Sequence, residues 1–161
     1  MEEAIFAAGC FWGVQFYFDQ VPGIIETEVG YIGGHVDNPS YDAVCSHTTG
    51  HAEATRIVFD PKKISYEKLL GQFFRMHDPT QLNRQGPDVG DQYRSAIFYK
   101  DEAQKQTAQK VIDQLNKSGK FKNPVVTTLE AGDKFWPAED FHQKFTDRTG
   151  HGMCSVEYKP I

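Results

Sequence analysis

The sequence predicts an α+β fold, a sandwich in which helices pack on a mixed β-sheet. Apolar or alternating segments typical of strands are interspersed with amphipathic segments, in the order βαββαβαβ. The length of 161 residues matches one domain with a sizeable core. A hydrophobic content of 39% and a charged content of 24% are typical of soluble globular proteins. We therefore expect residues 1–161 to form a single domain without linkers or repeats.

The first strand and the first helix meet at a cysteine. Residues 4–8 are apolar and alternate like a strand, and the bulky residues of 14–19 have the spacing of a helix face. Between them stands Gly-Cys-Phe-Trp-Gly, with Cys10 where the helix begins. Free backbone N–H groups and the positive end of the helix dipole lower the pKa of a thiol there. Spacing alone leaves a reactive thiol and a buried structural cysteine equally open.

Turn residues and apolar periodicity predict the elements of the middle of the chain. In order they are a strand over 24–30, a loop over 31–41, a short helical turn from Ser40 to Cys45, a strand over 51–59, a helix capped by Ser65, and a polar loop over 77–91. A loop as long as this last one is usually functional or disordered in a compact domain.

The last third of the chain is predicted to hold two strands and two helices. A strand over 93–99 is followed by an amphipathic helix over 101–117, a strand over 125–129 and a short helix over 138–145.

Composition excludes several classes of function. A net charge of −5 without a basic stripe argues against nucleic-acid binding, and no apolar run is long enough to cross a membrane. The acidic start at Met1 lacks the features of a leader segment. Three widely separated cysteines form no disulfide framework and no Cys-x-x-Cys pair occurs, so we expect a metal-free protein of the reducing cytoplasm.

Six motifs, which together span nearly the whole chain, resemble the methionine sulfoxide reductase A family. The resemblance implies reduction of the S-epimer of methionine sulfoxide. It also implies a two-layer α/β sandwich, with a ferredoxin-like mixed sheet, packed helices and long coil segments. The motifs are Gly9-Cys10-Phe11-Trp12-Gly13, Asn38-Pro39-Ser40-Tyr41, Gly50-His51-Ala52-Glu53, His77-Asp78-Pro79-Thr80-Gln81, Asp88-Val89-Gly90-Asp91-Gln92-Tyr93-Arg94-Ser95 and Phe141-His142-Gln143-Lys144.

The resemblance assigns the chemical roles. A sulfoxide sulfur is partly positive, so a thiolate can attack it, and the oxygen must be protonated to leave. Cys10 matches the nucleophile, which becomes a sulfenic acid. Glu53 matches the acid, and its pKa must then be raised, most simply by an apolar pocket. Tyr41 and Tyr93 match tyrosines whose hydroxyls point at the sulfoxide oxygen. Residue type alone favours a solvent-facing strand residue for Glu53 and a core residue for each tyrosine.

Four more residues complete the site that the resemblance implies. Phe11 and Trp12 match the wall that binds the S-methyl group, and Asp88 matches a loop aspartate that meets the substrate backbone. Cys154, in a glycine-rich stretch, matches the thiol that resolves the sulfenic acid by forming a disulfide. The residues just before Cys154 depart from the usual Asn-Pro-Asn pattern. Cys45 matches a position without a catalytic role.

The implied enzyme needs no bound cofactor, because a thioredoxin-like protein reduces the disulfide. Its substrates are oxidised proteins and free methionine sulfoxide, and we expect a monomer. Two other classes stay open on the sequence. In a cysteine hydrolase or acyltransferase, His51 or His142 would act as the base for Cys10. In a binding module without enzymatic activity, replacement of Cys10 by serine would have no effect.

Overall fold

The computed structural model describes residues 1–132 and 134–150. Two turns of 3-10 helix, Asp91–Tyr93 and Asp140–His142, lie beside the site described below. The strands and helices are, in chain order, β1 (Glu2–Ala8), α1 (Phe11–Phe18), β2 (Ile24–Ile32), α2 (Tyr41–Cys45), β3 (Ala52–Phe59), α3 (Tyr66–Met76), β4 (Arg84–Gln85), β5 (Asp88–Val89), β6 (Ser95–Tyr99), α4 (Glu102–Ser118), β7 (Thr128–Ala131), β8 (Trp136–Pro137) and α5 (Phe145–Thr149).

The main sheet confirms the predicted α+β class. Its six strands have the order β7-β6-β1-β3-β2-β8. The β6–β7 pair is parallel and the other neighbours are antiparallel, so the sheet is mixed. The four strands β6-β1-β3-β2, with α1 and α3 as crossovers, form a βαββαβ unit in the ferredoxin-like order.

The two faces of the sheet follow from the strand period of two. In β1, Phe6 faces a large cluster that includes side chains of α1, α3 and α4, whereas Ile5 faces a smaller cluster covered in part by Phe135. In β3, Ile57 points toward the helices and Ala54 points away. Alternation therefore directs Glu53 to the helix-bearing face.

Both predicted serine caps are confirmed. The hydroxyl of Ser65 accepts a hydrogen bond from the Lys68 backbone N–H at 3.2 Å, and that of Ser40 accepts one from Ala43 at 3.1 Å. Each satisfies an N–H group that a helix start leaves unpaired. The Ser40 cap begins the short helix that carries Tyr41.

Cys10 takes the N-cap position of α1 and the helix begins at Phe11, which agrees with the predicted start. Other boundaries differ from the sequence prediction. Strand β2 continues to Ile32, inside the predicted loop, because its last residues pair with β3. The strand predicted over 125–129 lies at Thr128–Ala131, where it pairs with β6.

The predicted helix over 138–145 is wrong. Pairing with β2 takes precedence there: Trp136 pairs with Tyr31, and the Ala138 N–H donates to the Val29 carbonyl at 2.9 Å. Helix α5 begins only at Phe145, after the left-handed backbone of Lys144 (φ 57°). We call residues 136–146 the C-terminal strap. None of the described helices combines the length and the apolar character needed to span a membrane.

Candidate active site

Cys10 lies where β1 ends and α1 begins, partly buried. The preceding Gly9 has φ +100°, and a Cβ built on it would stand 2.9 Å from the Cβ of Gln85. Both the left-handed backbone and this close approach require glycine. The 77–91 loop thus packs directly beside the cysteine.

Glu53 projects from β3 toward the start of α1. Its side chain is buried, with 1% of the residue exposed, so it is not a solvent-facing strand residue. Its Oε1 accepts a hydrogen bond from the Phe11 backbone N–H at 3.3 Å. Because Phe11 follows Cys10 directly, this contact brings a buried carboxyl group next to the cysteine.

Tyr41 opens α2, and Tyr93 closes the 3-10 turn after β5. Burial raises the pKa of both phenols above the ordinary value, and the nearby carboxyl group of Glu53 acts in the same direction when it is ionised. Both hydroxyls therefore stay protonated near neutral pH and can donate hydrogen bonds. The Tyr41 hydroxyl also contacts the thiol of Cys45, whose pKa is raised chiefly by burial.

The aromatic side chains after Cys10 form one wall of the cleft. Phe11 is fully buried and its ring centroid lies 6.4 Å from that of Tyr41. Trp12 is partly buried, stacks on Phe145 at 4.0 Å and lies 6.3 Å from Tyr41. Trp12 thus offers a flat apolar surface next to the cysteine, and the buried Phe11 ring packs behind it.

Asp88 lies in the β4–β5 hairpin, which the sequence predicted only as loop. Burial raises the pKa of its carboxyl group. Its strand partner Gln85 bonds both backbone groups of Asp78, at 2.9 and 3.0 Å. These bonds fix the path of the long loop. The hairpin that carries Asp88 also packs against Gly9.

The sequence indicated His142 as a motif residue and a possible base for Cys10, but not its contact with Trp12. The indole N–H of Trp12 donates to its Nδ1 at 2.9 Å, so Nε2 carries the proton of the neutral ring. Burial lowers its pKa, although Glu139 acts in the opposite direction. The residue is 0% exposed, and Nε2 has no hydrogen-bond partner within residues 1–132 and 134–150.

Two other strap residues attach this segment to the sheet. The Gln143 amide accepts from the Val29 N–H at 3.0 Å and donates to the Val29 carbonyl at 2.9 Å, as a neighbouring strand would. The Glu139 carboxylate accepts from the Tyr31 hydroxyl at 2.9 Å and from the Tyr41 N–H at 3.1 Å. The Phe-His-Gln-Lys motif pointed to this segment, but nothing in it indicated these partners.

Arg94 fixes the backbone turn that carries Tyr93. Its guanidinium forms a bidentate pair with Glu130, with N–O distances of 3.1 and 3.2 Å. The same group donates to the carbonyls of Gly50 and Asp91, each at 3.1 Å. The turn that carries Tyr93 is therefore fixed to the start of β3.

His51, one of the two histidines considered as a base for Cys10, is engaged elsewhere. Nδ1 of His51 accepts from the Gly34 N–H at 3.0 Å and Nε2 lies 2.7 Å from the Val36 carbonyl, so both nitrogens are engaged by a loop. No cluster of three or more metal-ligating side chains occurs among the described residues. Cys154 lies outside them.

Known proteins resemble this chain in sequence and in structure. The family model for peptide methionine sulfoxide reductase matches residues 2–161. The peptide methionine sulfoxide reductase MsrA of Methanosarcina acetivorans is 53% identical over 150 residues, which cover 93% of this chain and 80% of that protein. Reduced Mxr1 from Saccharomyces cerevisiae superposes with a TM-score of 0.88 at 32% identity, covering 99% and 92% of the two chains. Mxr1 in complex with Trx2 gives 0.60 at 25% identity, covering 89% and 84%.

Proposed function

Because the chain belongs to the peptide methionine sulfoxide reductase A family, we propose that the cleft beside Cys10 performs the family's reaction. The protein is an oxidoreductase that reduces peptide methionine sulfoxide to methionine with electrons from thiols. We assign this activity to residues 1–161 as one catalytic domain. The bond between the Phe11 N–H and Glu53 carries the assignment of the site, since it sets a buried carboxyl group beside the thiol.

The proposed first step joins Cys10 and Glu53. The Cys10 thiolate attacks the partly positive sulfur of the sulfoxide while Glu53 gives a proton to the oxygen. The sulfur–oxygen bond breaks and the protonated oxygen passes to Sγ as a hydroxyl group. The sulfoxide thereby gains two electrons and leaves as the thioether, and Cys10 loses two and becomes a sulfenic acid. Burial disfavours the charged form of a carboxyl group, which suits an acid that must arrive protonated.

Tyr41 and Tyr93 are proposed to hold the sulfoxide oxygen during this step. Their raised pKa values keep both phenols neutral, so each can donate a hydrogen bond without bringing a charge. Donors fixed in advance stabilise an oxygen on which charge develops. Arg94 supports this arrangement for Tyr93, because it fixes the preceding turn.

The rest of the cleft is proposed to bind the oxidised methionine and its backbone. Phe11 and Trp12 offer the apolar wall for the S-methyl group. Asp88, on the opposite hairpin, is proposed to accept from a backbone N–H of the substrate.

Recycling is proposed to use Cys154 and a thioredoxin-like protein. The Cys154 thiol condenses with the sulfenic acid of Cys10, which forms a disulfide and releases water. A dithiol partner then reduces this disulfide, and the solved complex of Mxr1 with Trx2 supports such a partner. The scheme needs no bound cofactor or metal.

Oxidised proteins and free methionine sulfoxide are the proposed substrates, and repair of oxidised proteins is the proposed biological role. We further propose that the enzyme acts as a cytoplasmic monomer with a preference for the S-epimer. The few, widely separated cysteines support a reducing compartment.

A single-turnover experiment tests the proposal. Reduced protein is mixed with each epimer of methionine sulfoxide without reductant, and methionine and remaining thiols are counted. We expect methionine from the S-epimer alone, with two thiols lost per protein. Methionine with one thiol lost would retain the reductase and reject Cys154. No methionine from either epimer would reject the reductase assignment for this site.

A further inference from the structure

Glu139 forms hydrogen bonds to two separate elements of the candidate site, strand β2 and helix α2. It lies in the C-terminal strap, partly buried, and its two carboxylate oxygens bind different elements. Oε1 accepts from the hydroxyl of Tyr31 in β2, and Oε2 accepts from the backbone N–H of Tyr41 in α2. One side chain thus connects an edge of the sheet to the short helix that carries a proposed oxygen-binding hydroxyl.

The connection reaches Glu53 through the sheet register. Tyr31 is the direct β2 partner of Glu53 in β3, so their side chains leave the same face of the sheet. The sequence of contacts therefore runs from Glu53 to Tyr31, then through Glu139 to Tyr41. Each contact after the strand pairing is a hydrogen bond of ordinary length.

Helix α2 depends on such an external support. It has five residues, which is far below the length at which a helix is stable on its own. Ser40 caps the Ala43 N–H and leaves the Tyr41 N–H to Glu139. Without this bond, the first turn loses a contact that fixes the direction of the Tyr41 side chain.

The charge state of Glu139 suits this role. Partial burial acts against the charged form, but hydrogen bonds from the Tyr41 N–H and the Tyr31 hydroxyl, with nearby His142, outweigh it. The pKa of Glu139 consequently lies below the ordinary value for a glutamate. The carboxylate remains an acceptor for both donors across the neutral range.

We propose that Glu139 is a positioning residue for sulfoxide reduction, which acts by holding the Tyr41 hydroxyl in register with the carboxyl group of Glu53. Glu139 itself does not touch the substrate. The inference rests on the proposed function, because Tyr41 matters only if its hydroxyl binds the sulfoxide oxygen.

A double-mutant cycle of Glu139 and Tyr41 tests this role, with the single-turnover rate of methionine formation as the readout. We expect Tyr41→Phe to slow the reaction about tenfold, the value of one good hydrogen bond. Glu139→Ala should slow it by a similar factor. In the Tyr41→Phe background, Glu139→Ala should add less than about a twofold loss, because its effect passes through the missing hydroxyl.

Two conservative variants keep the test decisive if Glu139→Ala fails to fold. Glu139→Gln retains an acceptor for the Tyr41 N–H and can donate to the Tyr31 oxygen, so we expect it to stay within about threefold of the parent rate. Tyr31→Phe removes one of the two carboxylate contacts and should give a two- to threefold loss that disappears in the Tyr41→Phe background. The matched control is Glu26→Ala, which changes an exposed glutamate in β2, the strand that carries Tyr31.

The outcomes separate this inference from the proposed function. Equal losses from Glu139→Ala with and without the Tyr41 hydroxyl would overturn the positioning role, as would a full rate in Glu139→Ala. A parent enzyme that forms no methionine would instead reject the proposed function.

Discussion

The two sides of the cleft are built in different ways. Cys10 follows β1 and Glu53 belongs to β3, two neighbouring central strands, and Glu53 accepts a hydrogen bond from the N–H of Phe11, the residue after Cys10. The aromatic side depends on the strap, which is attached to β2 by the side chains of Glu139 and Gln143. The proposed reacting groups are therefore placed by the sheet itself, whereas the proposed substrate-binding wall is placed by a few individual side chains.

This difference predicts how each side responds to substitution. Changes at the central strands should remove chemistry, and changes in the strap should mainly alter substrate binding. The expected effect on activity decreases from Cys10→Ser through Glu53→Gln and Gln143→Leu to His77→Gln.

Cys10→Ser should abolish methionine formation, because a hydroxyl at this position neither attacks the sulfoxide nor accepts its oxygen. Single-turnover assays with the S-epimer measure this directly. Cys45→Ser, which changes the other described cysteine, is the control and should keep most of the rate. Full activity in Cys10→Ser would show that Cys10 is not the group that attacks the sulfoxide.

Glu53→Gln should slow sulfoxide reduction about a hundredfold or more, the usual contribution of a positioned acid. Glutamine keeps the shape and the acceptor for the Phe11 N–H, so the fold and KM should change little. The measurement is kcat against KM with an unfolding curve for each variant. An unchanged kcat would remove Glu53 from the acid role.

Gln143→Leu should weaken substrate binding more than it slows chemistry. It removes three hydrogen bonds to Val29 and Ala138 that attach the strap to β2. We expect KM to rise several-fold with kcat nearly retained, and a loss of about 1–3 kcal/mol in the free energy of unfolding. Gln114→Leu, on an exposed face of α4, is the control. A fall in kcat alone would contradict the division between the two sides.

His77→Gln should leave activity at neutral pH unchanged and alter acid stability. His77 lies between Phe73 and Ser95, at the end of α3, with its nitrogens 2.7 and 2.8 Å from the carbonyl and the hydroxyl. Burial lowers its pKa to about 4. The unfolded chain, with a histidine pKa of about 6.5, binds a proton that the folded chain does not, so stability falls as pH drops from 6.5 toward 4.

The size of this effect follows from the two pKa values and reaches about 3 kcal/mol near pH 4. Denaturant unfolding of the parent and His77→Gln, at neutral pH and near pH 4.5, measures it. The parent should lose more stability than the variant over this range. Exposed His35, replaced by glutamine, should behave like the parent. Equal pH dependence in parent and His77→Gln would contradict the burial of a neutral histidine.

The sequence predicted the central side well because its signals are local. Alternation in β1 and β3, a cysteine before an amphipathic run, and the Ser65 cap each depend on a few consecutive residues, and the structure has them. The motif resemblance added Glu53, whose burial residue type alone did not indicate.

The strap could not be predicted, because its structure depends on contacts over about a hundred residues. Gln143 bonds Val29, and Glu139 bonds Tyr31 and Tyr41, across separations of 98 to 114 positions. No local periodicity encodes such pairs. The sequence pattern over 138–145 therefore predicts a helix that the structure does not have. The exclusion of a side chain at Gly30, which the Trp136 carbonyl would meet at 2.4 Å, is likewise visible only in the fold.

The most direct test of the account is to locate the oxidised sulfur after one turnover. Cys154→Ser protein, which lacks the proposed resolving thiol, is mixed with methionine-(S)-sulfoxide and a 1,3-diketone that adds to sulfenic acids. Peptide mass spectrometry then identifies the modified residue. The account predicts one adduct per methionine formed, on Cys10. Methionine formed with the adduct on Cys45, or with no cysteine modified, would contradict it.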